Sequence, residues 1–237
     1  MNKKSLNNIK LPYRSGDVQS HEPVLVRCRV LIVSEGEKTE PNYFKSFNMM
    51  QRGGIVFEVE SKGDGENTIQ VVDEAIRLRD CAEYNDNPFD SVWAVFDKDS
   101  FADKDFNAAI EMAKQHDIHT AWSNEAFELW YVLHFQYRNT AMSRTEYKAE
   151  ITKRVNEAGF LKKNYKYQKN AKNSKEIMSH YGSEDEAIRN AERLEKTYAD
   201  KRYARHNPCT TVYKLVRLLR GEDKIFNAIV MEKLNAN

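Results

Sequence analysis

Cysteine is scarce in this chain. Cys28, Cys81 and Cys209 stand far apart and are odd in number. That spacing excludes a disulfide framework and a CxxC metal site, and it leaves three small hydrophobes. Long apolar runs are also missing: no window approaches the ~20 residues needed to span a bilayer. The opening stretch MNKKSLNNIKLPYRSGDVQSHEP begins basic but has no apolar centre, so it does not read as a signal peptide. A cytoplasmic protein is expected. No Walker A sequence occurs, so any ATP-driven step would come from another protein. No internal repeat is apparent.

What the chain does have is charge, unevenly spread. Charged residues make up 31% of its 237 residues and hydrophobic ones 41%. With 11% aromatics, that composition supports a real core and argues against general disorder. The net charge of +1 hides two opposed halves. Residues 1–137 carry 15 Lys and Arg against 23 Asp and Glu, and residues 138–237 carry 22 against 13. An acidic half suited to cations and a basic half suited to phosphates follow from that split.

Residues 1–22 read as a polar tail. From there the pattern alternates strand and helix. VLVRCRVLIV (24–33) turns continuously apolar, as a strand buried on both faces does. TEPNYFKSFNMMQ (39–51) reads as a helix capped by Thr39 and ended by Gly53-Gly54. IVFEVES (55–61), SVWAVFD (91–97) and IHTAWSN (118–124) read as further strands. Helices are expected over 67–84, from Asp103, and over 125–135. The order predicts a mostly parallel sheet flanked by helices. Later helical patterns cover 143–158, 184–205 and 209–220 without a strand. The reading is an α/β core over 23–136, with a basic helical region, 137–237, packed on it.

In open parallel sheets, ligands sit beyond the carboxyl ends of the strands. Glu35 follows the first strand; Asp97 and Asp99 follow the third. Alternation along an extended chain puts Asp97 and Asp99 on one side. If those strands are neighbours, Glu35 faces the pair. Three hard oxygen ligands suit Mg²⁺ or Mn²⁺. A DxD alone is weak, and its conjunction with a glutamate at a second strand end is what raises the signal.

A strand leading into Glu-Gly, with a later strand ending in DxD, is similar to the Toprim domain of topoisomerases, primases and OLD-type nucleases. More closely, VSEGEKTEPNYF, VFDKDSF, SNEAFELWYVLHF and NPCTTVYKLV resemble the RloB-like family, found beside ATPases or restriction systems in bacterial antiphage loci. The resemblance runs from about residue 30 to 218. It implies a Toprim-type, metal-dependent nuclease. Glu40 is the matching second acid, although it lies five residues after Glu35 where Toprim nucleases often have four.

The same residues have a physical reading. Glu128 could reach the metal from the end of the fourth strand, and Lys38 could approach the scissile phosphate. His134 is a candidate proton donor. LKKNYKYQKNAKNSK (161–175) reads as a mobile loop in which Lys162, Lys163, Lys166 and Lys169 contact phosphates, while Tyr165 and Tyr167 stack on unpaired bases. Asn207 reads as a helix cap, with Pro208 in the first turn and Thr210 offering a hydroxyl to phosphate. The favoured function is cleavage of structured RNA such as tRNA, with DNA as the alternative. An ATPase partner and an oligomer remain open. A phosphatase or nucleotidyl transferase, or a non-enzymatic binding subunit, are the rival classes.

Overall fold

The computed structural model describes residues 25–63, 67–159 and 164–235. A five-stranded sheet lies at its centre, in the order β2-β3-β1-β4-β5. The strands are β1 (Val26–Ser34), β2 (Met50–Arg52), β3 (Ile55–Gly63), β4 (Ser91–Asp97) and β5 (His119–Ser123). All neighbours are parallel except β2, which pairs antiparallel with β3 at one edge. The fold is therefore α/β with a mostly parallel sheet between helices, as the alternating pattern predicts.

The continuous apolar run of β1 serves both faces. Cys28, Val30 and Ile32 enter one core, while Leu31 and Val33 enter the other. Helices α2 (Thr68–Tyr84) and α3 (Asp103–Gln115) cover the second face. Asn67 starts α2 through a capping box with Gln70. The first face is covered by α1 (Thr39–Lys45), α4 (Glu128–Leu133) and α5 (Arg144–Glu157). It also takes residues from α6 (Ser174–Tyr181), α7 (Glu184–Glu195), α8 (Val212–Leu219) and α9 (Lys224–Asn235). Residues beyond 137 thus share one core with the sheet. Residues 1–22, read as a tail, lie outside the described residues.

Several boundaries differ from the sequence reading. The first helix ends at Lys45, and β2 follows and turns back into β3 through Gly53 and Gly54, at φ 54° and 85°. Two left-handed residues between paired strands are the signature of a tight hairpin, so the glycine pair marks a turn rather than a helix end. Lys38, not Thr39, takes the cap position of α1; the Thr39 hydroxyl donates to Asn170 Oδ1 at 2.8 Å. The helix expected over 184–205 stops at Glu195, where its buried stripe of Ala187, Ile188, Ala191 and Leu194 ends. Asp200 then organises a turn, accepting from the Arg202 amide at 2.8 Å and facing His206 Nε2 at 2.9 Å.

Residues 209–211 run antiparallel beside β5 instead of opening a helix. Thr211 Oγ1 accepts from the Trp122 amide at 2.9 Å, and the Thr211 amide donates back to the Trp122 carbonyl at 2.8 Å. Thr211 is buried. Thr211→Val would leave the Trp122 N–H unpaired in the core, so a loss of about 1–3 kcal/mol is expected in urea denaturation, with Thr211→Ser losing less. Equal midpoints for Val and wild type would show that this bond does not hold the strand edge.

Candidate functional site

The carboxyl ends of β1 and β4 are adjacent, with Ser34 opposite Val95. The Glu35 amide extends this ladder by one residue, donating to the Val95 carbonyl at 2.9 Å. That contact turns the Glu35 side chain along the sheet edge, where its Oε2 accepts from the Asp97 amide at 3.3 Å. Asp97 Oδ2 in turn accepts from the Phe127 amide at 3.0 Å, just before α4. A strand end, a neighbouring strand end and a helix entry thus meet on two carboxylates.

Two more carboxylates close on them from the first turns of short helices. Glu40 lies in the first turn of α1 and is buried. Its Oε2 has no hydrogen-bond partner among the described residues. Gly36 makes the room: a Cβ there would sit 1.9 Å from that oxygen. Glu128, the first residue of α4, is 3% exposed and accepts from the Tyr167 hydroxyl at 3.2 Å.

Burial and mutual repulsion dominate the electrostatics. Burial pushes the Glu35 carboxyl up to about 7; the Asp97 amide opposes this, and Glu40 and Asp99 add to it. Asp97 is raised well above the usual range, first by burial and then by Glu40, Glu35 and Glu128. Glu40 is raised by burial and by Glu128, against weaker help from Lys169 and Arg144. Carboxylates held like this favour a proton or a cation.

Asp99 departs from the expected arrangement. The backbone leaves the extended form after Asp97, and Asp99 has a φ of 39°. Alternation therefore no longer governs its direction. Its carboxylate pairs with Arg144 at 2.8 Å. Arg144 is the residue that sequence reasoning missed. It begins α5, after a Ser143–Glu146 capping box that reads as ordinary helix punctuation. Its Nε also donates to the Glu125 carbonyl at 3.3 Å. Glu125 itself, at φ 72°, lies outside the helix expected to start there.

Other expectations are corrected. His134 is buried in the aromatic cluster, with Nδ1 2.9 Å from the Trp130 carbonyl and Nε2 unpartnered among the described residues. Burial lowers it to about 4, and its charged neighbours are Glu184 and Lys175 rather than the four carboxylates. It is a core residue, not the proton donor of this site. Tyr167 is buried against Glu128, so its ring is closed to bases. Residues 164–173 are tied down rather than looped free: Asn170 receives Thr39, and its carbonyl accepts from Asn42 Nδ2 at 3.2 Å.

Thr210 is buried, 3.0 Å from Ser123 Oγ, and Asn207 does not cap α8; neither forms a phosphate cradle. Lys38, Lys166 and Lys169 are exposed. Lys162 and Lys163 lie outside the described residues.

Among the described residues, no three His, Cys, Asp or Glu side chains are grouped as a ready-made metal cage. The donor set nonetheless fits a hard divalent cation. All donors are carboxylate oxygens, and one is buried without a partner. No helix among the described residues is long and apolar enough to cross a membrane.

Fold and site together define an α/β protein with an acidic centre at the carboxyl edge of a parallel sheet. The chain belongs to the RloB-like protein family, whose model matches residues 30–219. No curated protein and no solved structure matches it.

Gly36→Ala should push the Glu40 carboxylate out of its niche. The expected result is a stable protein whose Mn²⁺-induced rise in melting temperature shrinks, with affinity weakened roughly tenfold, the lower end of the range for supporting residues of a metal site. An unchanged metal response would place Glu40 outside any metal site.

The crowded carboxyls also make stability depend on pH. Carboxyls raised in the folded state contribute stability below the unfolded carboxylate range, and that stability is lost as pH rises through the folded value. In chelator, melting temperature should therefore fall between pH 4.5 and beyond the value of about 7 at Glu35. Glu35→Gln should flatten the fall. A flat wild-type profile would mean that the carboxylates are not buried together.

Proposed function

We propose that this protein is a Mg²⁺- or Mn²⁺-dependent nuclease of the Toprim type that acts in antiphage defence, with structured RNA such as tRNA as the favoured substrate. The observation that carries the reading is the gathering of buried Glu40, Asp97 and Glu128 with partly buried Glu35 at a parallel-sheet edge, with no ion pair to any of the four among the described residues. Family membership adds the defence context through the resemblance described above.

Glu35 and Asp97 would hold the metal, with Glu40 and Glu128 beside them and Asp99 once it leaves Arg144. A bound metal supplies water activation and stabilises charge growing on phosphate. The chain's own part is positioning. Asp97 is fixed by the Phe127 amide and Glu35 by the Asp97 amide, so both present oxygens without reorganisation. Lys38, Lys166 and Lys169 provide exposed cations for the phosphate backbone. Arg144 can exchange Asp99 for phosphate, because a guanidinium binds either bidentately.

The preference for RNA rests on fewer residues than the sequence suggested, since Tyr167 is buried. DNA stays the alternative substrate. A non-enzymatic reading, in which the protein binds nucleic acid beside a defence ATPase, draws on the absence of a ready-made metal cage among the described residues.

Incubation with total tRNA, plasmid and single-stranded DNA, each with Mg²⁺, Mn²⁺ or chelator, tests the proposal. Cleavage is expected only with metal and not with Asp97→Ala. Cleavage that survives chelator or this substitution overturns it. A melt provides a check that does not need turnover. Metal-free Asp97→Asn should unfold at or slightly above wild type, since one repelling charge is gone. It should also lose most of the metal-induced gain, which is about 2.7 kcal/mol at a hundredfold excess over Kd for the wild type.

A further inference from the structure

Helix α9 carries apolar residues that face solvent. Ile225 is 77% exposed and Ile229 is 52% exposed, and Ala228 and Glu232 are exposed with them. Their spacing of i, i+3, i+4 and i+7 puts all four on one stripe of the helix. The other side of α9 is anchored: Val230 is buried in the core, and Lys233 pairs with Asp90 at 2.6 Å. The stripe thus stands on a fixed element and points away from the core. A cavity of about 740 Å³ adjoins it, lined by Ile225 and Ile229 and by the buried Trp93 and Leu218. A helix laid on the stripe would cover part of that apolar wall as well. Contiguous apolar surface of this kind, rimmed by charge, marks an interaction site.

The charges at its ends select the partner. Lys224 opens α9 and Glu232 stands in its last turn. Both are exposed, and neither has an ion-pair partner among the described residues. In a lone helix this order is unfavourable, since the N-terminus prefers an acid and the C-terminus a base. A second α9 laid antiparallel on the first removes the conflict. Each Lys224 then meets Glu232 of the other copy, and the two helix dipoles run head to tail. The axis of such a pair falls at residue 228, midway between 224 and 232, where the small side chain of Ala228 lets the helices approach. Ile225 and Ile229 flank that point. A stripe complementary to itself is what a two-fold interface requires.

We infer that α9 is a self-association surface, on which two copies of this chain pair through antiparallel helices. One helix face is smaller than a standard stable interface, so dissociation in the micromolar range is expected. The helix lies toward the amino ends of the strands: Asp90 precedes β4, and Met231 Cε would be 3.8 Å from a Cβ at Gly54, ahead of β3. The acidic centre is at the carboxyl ends, so pairing leaves both centres outside the contact.

Sedimentation velocity of the full chain across the micromolar range tests this inference. Wild type should shift from monomer to dimer as concentration rises. Ile229→Glu should weaken the dimer roughly tenfold or more. Ile225→Glu, at the more exposed position, should do the same. Glu232→Lys should weaken it roughly tenfold, because like charges then meet across the pair. Lys224→Glu combined with Glu232→Lys should restore wild-type association. All four positions are exposed, so the variants should melt as wild type does and keep its response to Mn²⁺. A wild type that stays monomeric at every concentration overturns the inference and leaves the stripe to a different protein. A dimer that neither isoleucine variant weakens forms elsewhere and overturns it too. So does a double charge reversal that associates no better than Glu232→Lys alone.

Discussion

A carboxylate taken out of water needs a proton, a donor or a cation, and the carboxyl edge of this sheet holds three buried ones and a fourth that is partly buried. Much else in the structure serves that constraint. The β1–β4 pairing aligns Glu35 with Asp97, and the backbone amides of Asp97 and Phe127 supply donors. Gly36 leaves space for Glu40. Tyr167 reaches over from a segment far along the chain to cover Glu128. These donors satisfy only part of the charge, which is why the acids remain raised. Such an arrangement costs stability in the absence of a cation, and proteins keep such sites where function requires them.

The fold was largely legible because its signals are local. A doubly buried strand is a continuous apolar run, a capping asparagine precedes α2, and strand ends carry acids. Glu35 and Asp97 followed from the rule that parallel sheets act at their carboxyl edges. The Gly53-Gly54 hairpin was missed because Met49 and Met50 extended an apolar pattern past the true end of α1. The site was half legible. Arg144 and Tyr167 join it through tertiary contact alone, and nothing in their neighbourhoods distinguishes them from helix-starting or loop residues. Thr210 misled for the opposite reason: a hydroxyl before a helix reads as open to phosphate, yet here it pairs with Ser123 of β5. His134 had a chemistry that suggested function, while its position on α4 dictated burial.

The basic excess beyond residue 137 does not form a separate module. Its apolar residues complete one face of the sheet, and many of its cations are engaged on the surface. Arg217 pairs with Glu192 at 2.7 Å, Lys214 with Glu195 at 2.6 Å, and Arg220 with Asp185 at 2.6 Å. Such exposed pairs add little stability, but they reduce the charge left for a polyanion. Lys38, Lys166 and Lys169 still face solvent and come from both halves of the chain, and Lys169 is within electrostatic reach of Glu40.

Sharing one core across the whole chain sets the order of assembly during synthesis. Helices α2 and α3 give most of the cover on their face of the sheet early, and Ala204 and Cys209 complete it from late in the chain. The other face, covered in part by α1 and α4, is completed only when α5, α7 and α8 follow, because Tyr147, Ile151, Ile188, Leu215 and Val216 all belong to its cover. Domains fold as units, so this one cannot close early. Glu35, Glu40 and Asp97 are translated well before Arg144 and Tyr167. A ribosome-bound fragment therefore carries the acids without the residues that hold Asp99 and Glu128, and the centre is assembled only when the protein is nearly finished.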